Sequence, residues 1–503
     1  MSQEIQTGRL STGVEGLDDI LYGGLPAGRI YLVYGDAGTG KTTVGLQFLM
    51  AGAAAGKRCL CITLLQTLLE LSDVTSSHNW ETTGITMTEL PREIREAATI
   101  GQTVFTTADV ELSEVTDAIE AAVREHEPEC LFIDSVSELG VLVDTGYQMR
   151  RQLLKLKQLL DSISCTTILS SGLAGGLDDG TLETLVHGII GLELRAPEFG
   201  RVRRRVLVTK MRGMNFQAGY HDADIHTGGL RVYPRILVGG ARRGPRDNVT
   251  SGNAGIDALL GGGMEEGTAC VISGTSGAGK STLSSLYVHA AANRGVPASV
   301  FCFDERVETL LQRSARLGMP LDEHIDSGLV RIHQVNVGDV SPGLLAHMIR
   351  HAVERDNVRI VVLDSLSGYL QSMPDERELT KQLHELLGYL SSAGVLSIMV
   401  VASHGLFGEV ESPIDISYIA DTVIVLRNFE SRGEVRRCIA VLKKRHGEHE
   451  HTIRELGLGS DGIRVGEPLS SFSGVLTGLP RYEGTPSRLM QPDSSPVANQ
   501  EKA

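Results

Sequence analysis

Two octapeptides constrain this chain more than anything else in it. Gly35-Asp36-Ala37-Gly38-Thr39-Gly40-Lys41-Thr42 and Gly274-Thr275-Ser276-Gly277-Ala278-Gly279-Lys280-Ser281 both fit G-x-x-x-x-G-K-[ST], and they stand 239 residues apart. The same offset aligns Asp18 with Asp257, and Ser11–Asp18 is echoed by Ser251–Asp257. Leu21–Gly28 is likewise echoed by Leu260–Gly267. A period this long is a duplicated domain, not a solenoid repeat.

Each copy alternates apolar strands with helices. In the first, Ile30–Tyr34, Cys59–Thr63, Cys130–Asp134 and Thr166–Ser170 read as strands, and Thr42–Ala54, Glu114–Glu125 and Met149–Leu160 as helices. In the second, Ala269–Ser273, Ser299–Phe303, Ile360–Asp364 and Ser397–Val401 read as strands, and Pro342–Glu354 and Glu376–Leu390 as helices. Continuous apolar strands between helices predict a mostly parallel sheet covered on both faces. The expected class is therefore α/β, with two tandem P-loop domains. The expected boundaries are 1–238 for the first domain, 239–247 for a linker rich in Gly, Arg and Pro, and 248–480 for the second domain. Residues 481–503, poor in large apolar residues, read as a disordered tail.

Glycines at the octapeptide spacing let successive backbone N–H groups converge on phosphate without a Cβ in the way. The helix that follows points its positive end at the same anion. Lys41 and Lys280 then reach the β- and γ-phosphates, and Thr42 and Ser281 ligate Mg²⁺. A second magnesium ligand is expected at the end of a later apolar strand. Asp134, after Cys-Leu-Phe-Ile, and Asp364, after Ile-Val-Val-Leu, fill that place, and both are followed by Ser. ATP and Mg²⁺ are the implied ligands.

Hydrolysis also needs a group that orients and deprotonates water. In the second copy the strand after the P-loop helix ends in Asp304-Glu305, which makes Glu305 the candidate base with Asp304 supporting it. In the first copy Leu65 and Gln66 stand there. Glutamine can hold a water but cannot take its proton. The first site is thus expected to bind ATP and hydrolyse it weakly, with Glu70, one helical turn on, as the only nearby substitute.

The net charge of −15 disfavours unspecific binding to nucleic acid or anionic lipid, although Arg201, Arg203, Arg204 and Arg205 form one basic cluster. The seven cysteines form no metal-site spacing and lie mostly in apolar runs, as core residues in a reducing cytoplasm would. The N-terminus lacks the regions of a signal peptide, and no membrane span is expected.

Together the two P-loops, the duplication and the acid pair of the second copy resemble the KaiC family, RecA-like ATPases whose founding member is the cyanobacterial circadian clock kinase. The resemblance runs from about Gly8 to Gly478, most specifically in Ser11–Gly28 and Ile416–Arg427. It implies two RecA-like domains and a homohexameric double ring with ATP bound between neighbouring subunits. It also implies a Lys-x-Arg pair that reaches the neighbour's nucleotide in trans. Lys210-Met-Arg212-Gly213 matches in the first copy, and Lys443-Lys-Arg445 in the second, where His446 replaces the usual Gly. Kinase members phosphorylate an adjacent Ser and Thr; here the pair is Ser417-Tyr418, so the implied phosphosite is Ser417 alone, with Glu305 as base. A signalling protein is the implied partner. The clock role itself does not follow, because Gln491–Ala498 carries no recognisable partner-binding feature. Two other readings stay open: a RecA-like DNA-dependent motor, which the 4% aromatic content leaves short of stacking platforms, and a nucleotide switch that uses ATP only to assemble.

Overall fold

The computed structural model describes residues 8–64, 66–89, 108–137, 139, 146–172, 179–196, 201–237, 246–336, 338–371, 376–402, 419–431, 433–477 and 480–483. Leu65, Ser417, Tyr418, the linker residues 239–245 and the segment beyond residue 483 lie outside them. The chain divides into two compact units, residues 1–236 with 338–348, and residues 237–337 with 349–503.

In the first unit the P-loop strand β1 (Ile30–Gly35) leads into α1 (Lys41–Ala54). There follow β2 (Cys59–Thr63), α2 (Leu68–Ser77), β3 (Ile85–Glu89), α3 (Ala108–His126), β4 (Cys130–Asp134), α4 (Gly146–Ser162) and β5 (Thr166–Ser171). After the short helix α5 (Asp179–Leu185) come β6 (Gly188–Arg195), β7 (Arg203–Met211), β8 (Tyr220–His226) and β9 (Gly229–Tyr233). They form one nine-stranded sheet in the order β9-β8-β7-β6-β1-β5-β4-β2-β3. The strands from β6 to β3 run parallel, and β7, β8 and β9 continue the sheet antiparallel.

Why the central strands read as unbroken apolar runs is visible in their alternation. Tyr31 and Val33 of β1, Cys59 and Cys61 of β2, and Cys130 and Phe132 of β4 pack with Val44 and Phe48 of α1 in one core. Their neighbours Ile30, Leu32, Leu60, Ile62, Leu131 and Ile133 pack with Ile119 of α3 and Leu160 of α4 in another. With both faces covered, period two leaves no polar position. Each fully buried Leu, Ile or Phe contributes about 1.5–3 kcal/mol relative to exposure. Helix α1 is buried on nearly all sides. Its Gln47 is tied to β9, accepting from Leu230 N at 2.9 Å and donating to Leu230 O at 3.1 Å.

The second unit repeats the plan. β10 (Ala269–Gly274) is its P-loop strand and α6 (Lys280–Asn293) its P-loop helix. Then come β11 (Ala298–Cys302), α7 (Val307–Arg316), β12 (Val330–Gln334), α8 (Pro342–Arg355, of which residues 342–348 count with the first unit) and β13 (Ile360–Asp364). The rest is α9 (Leu366–Gln371), α10 (Glu376–Ser392), β14 (Leu396–Ala402), β15 (Thr422–Ser431), β16 (Glu434–Lys444), β17 (Arg454–Gly459) and β18 (Gly462–Pro468). The order is β12-β11-β13-β14-β10-β15-β16-β17-β18.

The antiparallel extensions are not among the sequence-based strands, and charge is the reason. Strand β7 opens with three arginines that read as a surface cluster. In the sheet Arg205 is buried, its guanidinium 4.6 Å over the Tyr220 ring, and Arg201 pairs with Asp224 at 2.9 Å. All seven cysteines are buried and unpaired. Among the described residues no helix is long and apolar enough to cross a membrane.

Candidate functional site

Both P-loops leave the carboxyl end of the central strand, where a parallel sheet opens its crevice. Gly40 and Gly279 turn the chain into the helix with φ of 108° and 103°, a left-handed conformation that suits glycine. A Cβ on Gly35 would stand 2.3 Å from Leu192 O, and one on Gly274 2.2 Å from Leu426 O, so these strand ends admit no side chain. From each of these ends a glycine-rich turn leads into the helix, the form whose N–H groups suit an anion.

Each lysine folds back over its own loop. Lys41 Nζ donates to Gly35 O at 2.8 Å and Asp36 O at 2.9 Å. Lys280 Nζ donates to Thr275 O at 2.8 Å. Burial lowers the pKa of both ammonium groups. Asp134 and Asp36 oppose that shift for Lys41, and Asp364 opposes it for Lys280. A phosphate arriving there gains a partly desolvated cation already in place.

The strand-end aspartates lie where the sequence predicts. Thr42 Oγ1 donates to Asp134 Oδ2 at 2.5 Å, and Ser170 Oγ donates to the other oxygen. In the second copy burial raises the pKa of Asp364, against a hydrogen bond from Ser281 and the charge of Arg313. Asp364 Oδ2 is buried with no hydrogen-bond partner among the described residues. Asp364, with an orphaned oxygen beside the Ser281 hydroxyl, is a hard-oxygen donor set suited to Mg²⁺. Asp134 and Thr42 offer the same donor types, there closed on each other and on Ser170.

The two copies part at the end of the second strand. Leu64 N and Phe303 N make equivalent bonds, to Asp134 O at 2.7 Å and Asp364 O at 2.8 Å, so the two strand ends correspond residue by residue. Glu305 lines the second cavity together with Lys280, Ser281 and Asp364. Its Oε1 accepts from Arg313 Nη1. Asp304 Oδ2 accepts from Ser365 Oγ at 2.5 Å, which ties the acid pair to the strand end that carries Asp364. In the first copy Gln66 Oε1 is buried without a partner among the described residues. Glu70 is the N3 member of a capping box: its Oε2 accepts from Thr67 N at 2.7 Å, while its own N donates to Thr67 Oγ1 at 3.2 Å. That engagement takes Glu70 into the start of α2.

Residues outside the motifs complete both loops. Arg204 Nη2 donates to Gly38 O at 3.3 Å, and Arg437 Nε to Gly277 O at 3.1 Å. Each stands six residues before the lysine of its Lys-x-Arg pair, a spacing that alignment of the two copies reveals and motif reading alone does not. Asn428 Nδ2 adds bonds of 3.3 Å to Thr275 Oγ1 and Ser276 O.

The Lys-x-Arg pairs lie at the other end of the sheet from their own P-loops. Arg212 N bonds His187 O at 2.8 Å, and His187 N bonds Ile30 O at 2.8 Å. That level is five residues, or about 16 Å at ~3.3 Å per residue, from Gly35. Arg212 Nη2 donates to Thr184 O at 2.8 Å, and Lys210 Nζ to Glu183 O. In the second unit Arg445 N bonds Asp421 O at 2.9 Å and Asp421 N bonds Ala269 O at 2.8 Å, again at the start of the central strand. Lys443 Nζ donates to Ala420 O at 2.8 Å.

The family model described as "ATPase: KaiC" matches the chain twice, over residues 10–236 and 249–470. The circadian clock oscillator protein KaiC of Parasynechococcus marenigrum is 26% identical over 499 residues, spanning 97% of this chain and 96% of that protein. Its namesake from Synechococcus elongatus is 27% identical over 480 residues, spanning 94% and 92%. With one family model covering both halves of a duplicated chain, the chain belongs to the KaiC family of ATPases.

Proposed function

We propose that the chain binds ATP with Mg²⁺ at both P-loops and hydrolyses it mainly in the second domain. The observation that carries this reading is the difference in acid supply. Glu305 faces the same cavity as Lys280 and Asp364, whereas the first copy offers Gln66 and a glutamate engaged in a helix cap.

In the second site the loop amides and Lys280 hold the β- and γ-phosphates. Ser281 and Asp364 would hold the ion, which supplies charge neutralisation between the phosphate oxygens. Glu305 takes the proton of the attacking water as its oxygen bonds to the γ-phosphorus. The bond to the β-phosphate oxygen breaks, and ADP and inorganic phosphate result. A positioned base contributes about 10²–10⁴-fold to such a step. In the first site the same cradle without the base makes a nucleotide-holding, assembly-supporting domain.

The cations at the far end of each sheet belong to the same reading. Lys210, Arg212, Lys443 and Arg445 are too distant from their own loops and suit a neighbouring subunit's triphosphate, which supports a homohexameric ring. A cationic pair supplied in trans stabilises charge on the transferring phosphoryl group. Glu305 can equally deprotonate a hydroxyl. Ser417, outside the described residues, is the acceptor to examine for autokinase activity, and a signalling role with a protein partner would follow from its labelling. The basic cluster lends the DNA-motor alternative little, because Arg201, Arg204 and Arg205 are engaged within the fold.

Glu305→Gln tests the assignment. Phosphate release should fall about 10²-fold or more, while binding of a fluorescent ATP analogue persists. Retained turnover would refute it.

A further inference from the structure

Glu305 stands on the loop between β11 and α7, where backbone alone does not fix the direction of its carboxylate. What holds it is Arg313, eight residues on, in the last turn of α7. Leu310 and Ser314 of the same helix are buried and set its rotation. Only Nη1 of the guanidinium is used; Nε and Nη2 are buried without partners among the described residues. Arg313 also lines the cavity that holds Lys280, Ser281 and Asp364. A pair placed for stability alone gains little from burying cationic N–H groups that bond to nothing.

The duplication supplies an internal control. The offset of 239 that aligns the P-loops sets Gln66 against Glu305, buried Leu71 against buried Leu310, and Val74 against Arg313. Val74 packs on the apolar core. Where the acid is absent, its arginine is absent too: the two positions are a charged pair in the second copy and a neutral pair in the first.

We propose that Arg313 is the positioning residue of the second site, aiming Glu305 at the water that attacks ATP. The inference rests on the reading of Glu305 as base. A charge-assisted bond to a rigid helix restricts the carboxylate where a loop would let it wander. The base must come within hydrogen-bond reach of the proton it removes. Neither copy's P-loop motif includes this position, so the function of the second site depends on a residue that motif matching passes over.

The test uses the full-length chain, with ATP turnover and binding of a fluorescent ATP analogue measured on the same samples. Arg313→Met should lower kcat about 10²-fold, the cost of displacing a reacting group by about an ångström, with KM for ATP and analogue affinity unchanged. Arg313→Lys, which keeps a cation there, should recover part of that loss. In a Glu305→Gln background, Arg313→Met should change nothing further. An equal loss of kcat in both backgrounds overturns the proposal. So does a rise in KM with kcat intact, which would make Arg313 a phosphate ligand. If Arg313→Met fails to fold, Arg313→Gln takes its place in the same comparison. Wild-type turnover in Glu305→Gln alone would instead remove the base assignment, and that single variant distinguishes the two failures.

Discussion

Asp364→Asn is the substitution for which the structure gives opposite signs with and without ligand. The carboxylate is 7% exposed, its Oδ2 is unpartnered, and burial holds its pKa above the usual carboxylate range. A folded-state pKa that is raised means that the associated stability is present below the unfolded pKa and lost as pH rises through the folded one. Near neutral pH the ionised group therefore weighs against the unliganded fold. Asparagine keeps the shape and removes the charge. An unsatisfied buried polar group costs about 1–3 kcal/mol, more when charged, and each kcal/mol moves the melting point of a domain this size by about 2–4 °C. Unliganded Asp364→Asn, whose amide stays unpartnered but carries no charge, should thus melt above its parent, with the gap closing as pH falls and Asp364 takes up a proton. With MgATP the order reverses. Ligand at 100 times its Kd stabilises the parent domain by about 2.7 kcal/mol, and the variant should lose that gain. Differential scanning calorimetry in a Lys41→Ala background, with EDTA and then with MgATP, reads both effects from the second site. A variant that melts lower without ligand, or that keeps the full MgATP shift, would refute the reasoning.

Two further outcomes follow from the geometry. Gly274→Ala places a Cβ 2.2 Å from the Leu426 carbonyl, backbone against side chain with nothing flexible to yield; urea melts should show a loss of about 1–3 kcal/mol, and ATP-analogue binding at the second site should disappear. Lys280→Ala and Lys443→Ala/Arg445→Ala chains, each nearly inactive alone, should regain phosphate release when mixed, since mixed rings would pair an intact P-loop with an intact neighbouring cation pair; no recovery would end the trans reading.

The parallel half of each sheet was legible because burial on both faces writes itself as uninterrupted apolar runs. Strand Cys59–Thr63 and the carboxyl ends at Asp134 and Asp364 coincide with the elements expected from sequence. The antiparallel half was not. Strand β7 carries Arg203, Arg204 and Arg205, whose charges suggest solvent until Tyr220 and the Gly38 carbonyl are seen to receive two of them. The same limit applies at the site. Lys280, Ser281 and Asp364 announce themselves by strand, loop and helix context. Arg437 acts on a carbonyl 160 residues away in sequence, and Arg313 on a carboxylate one helix segment back, outside any motif; only the alignment of one copy on the other makes them stand out. Glu70 illustrates the converse: a carboxylate near the right place in sequence is drawn into the Thr67 cap by a local pattern, S/T-x-x-E, that was available to read.

The division of labour between the two domains is tested most directly by steady-state phosphate release from chains with one P-loop lysine removed at a time. Lys280→Ala should leave only a small residue of turnover, whereas Lys41→Ala, assembled at saturating protein and ATP, should keep most of it. Equal losses, or a Lys280→Ala chain that hydrolyses ATP as the unaltered protein does, would contradict the account.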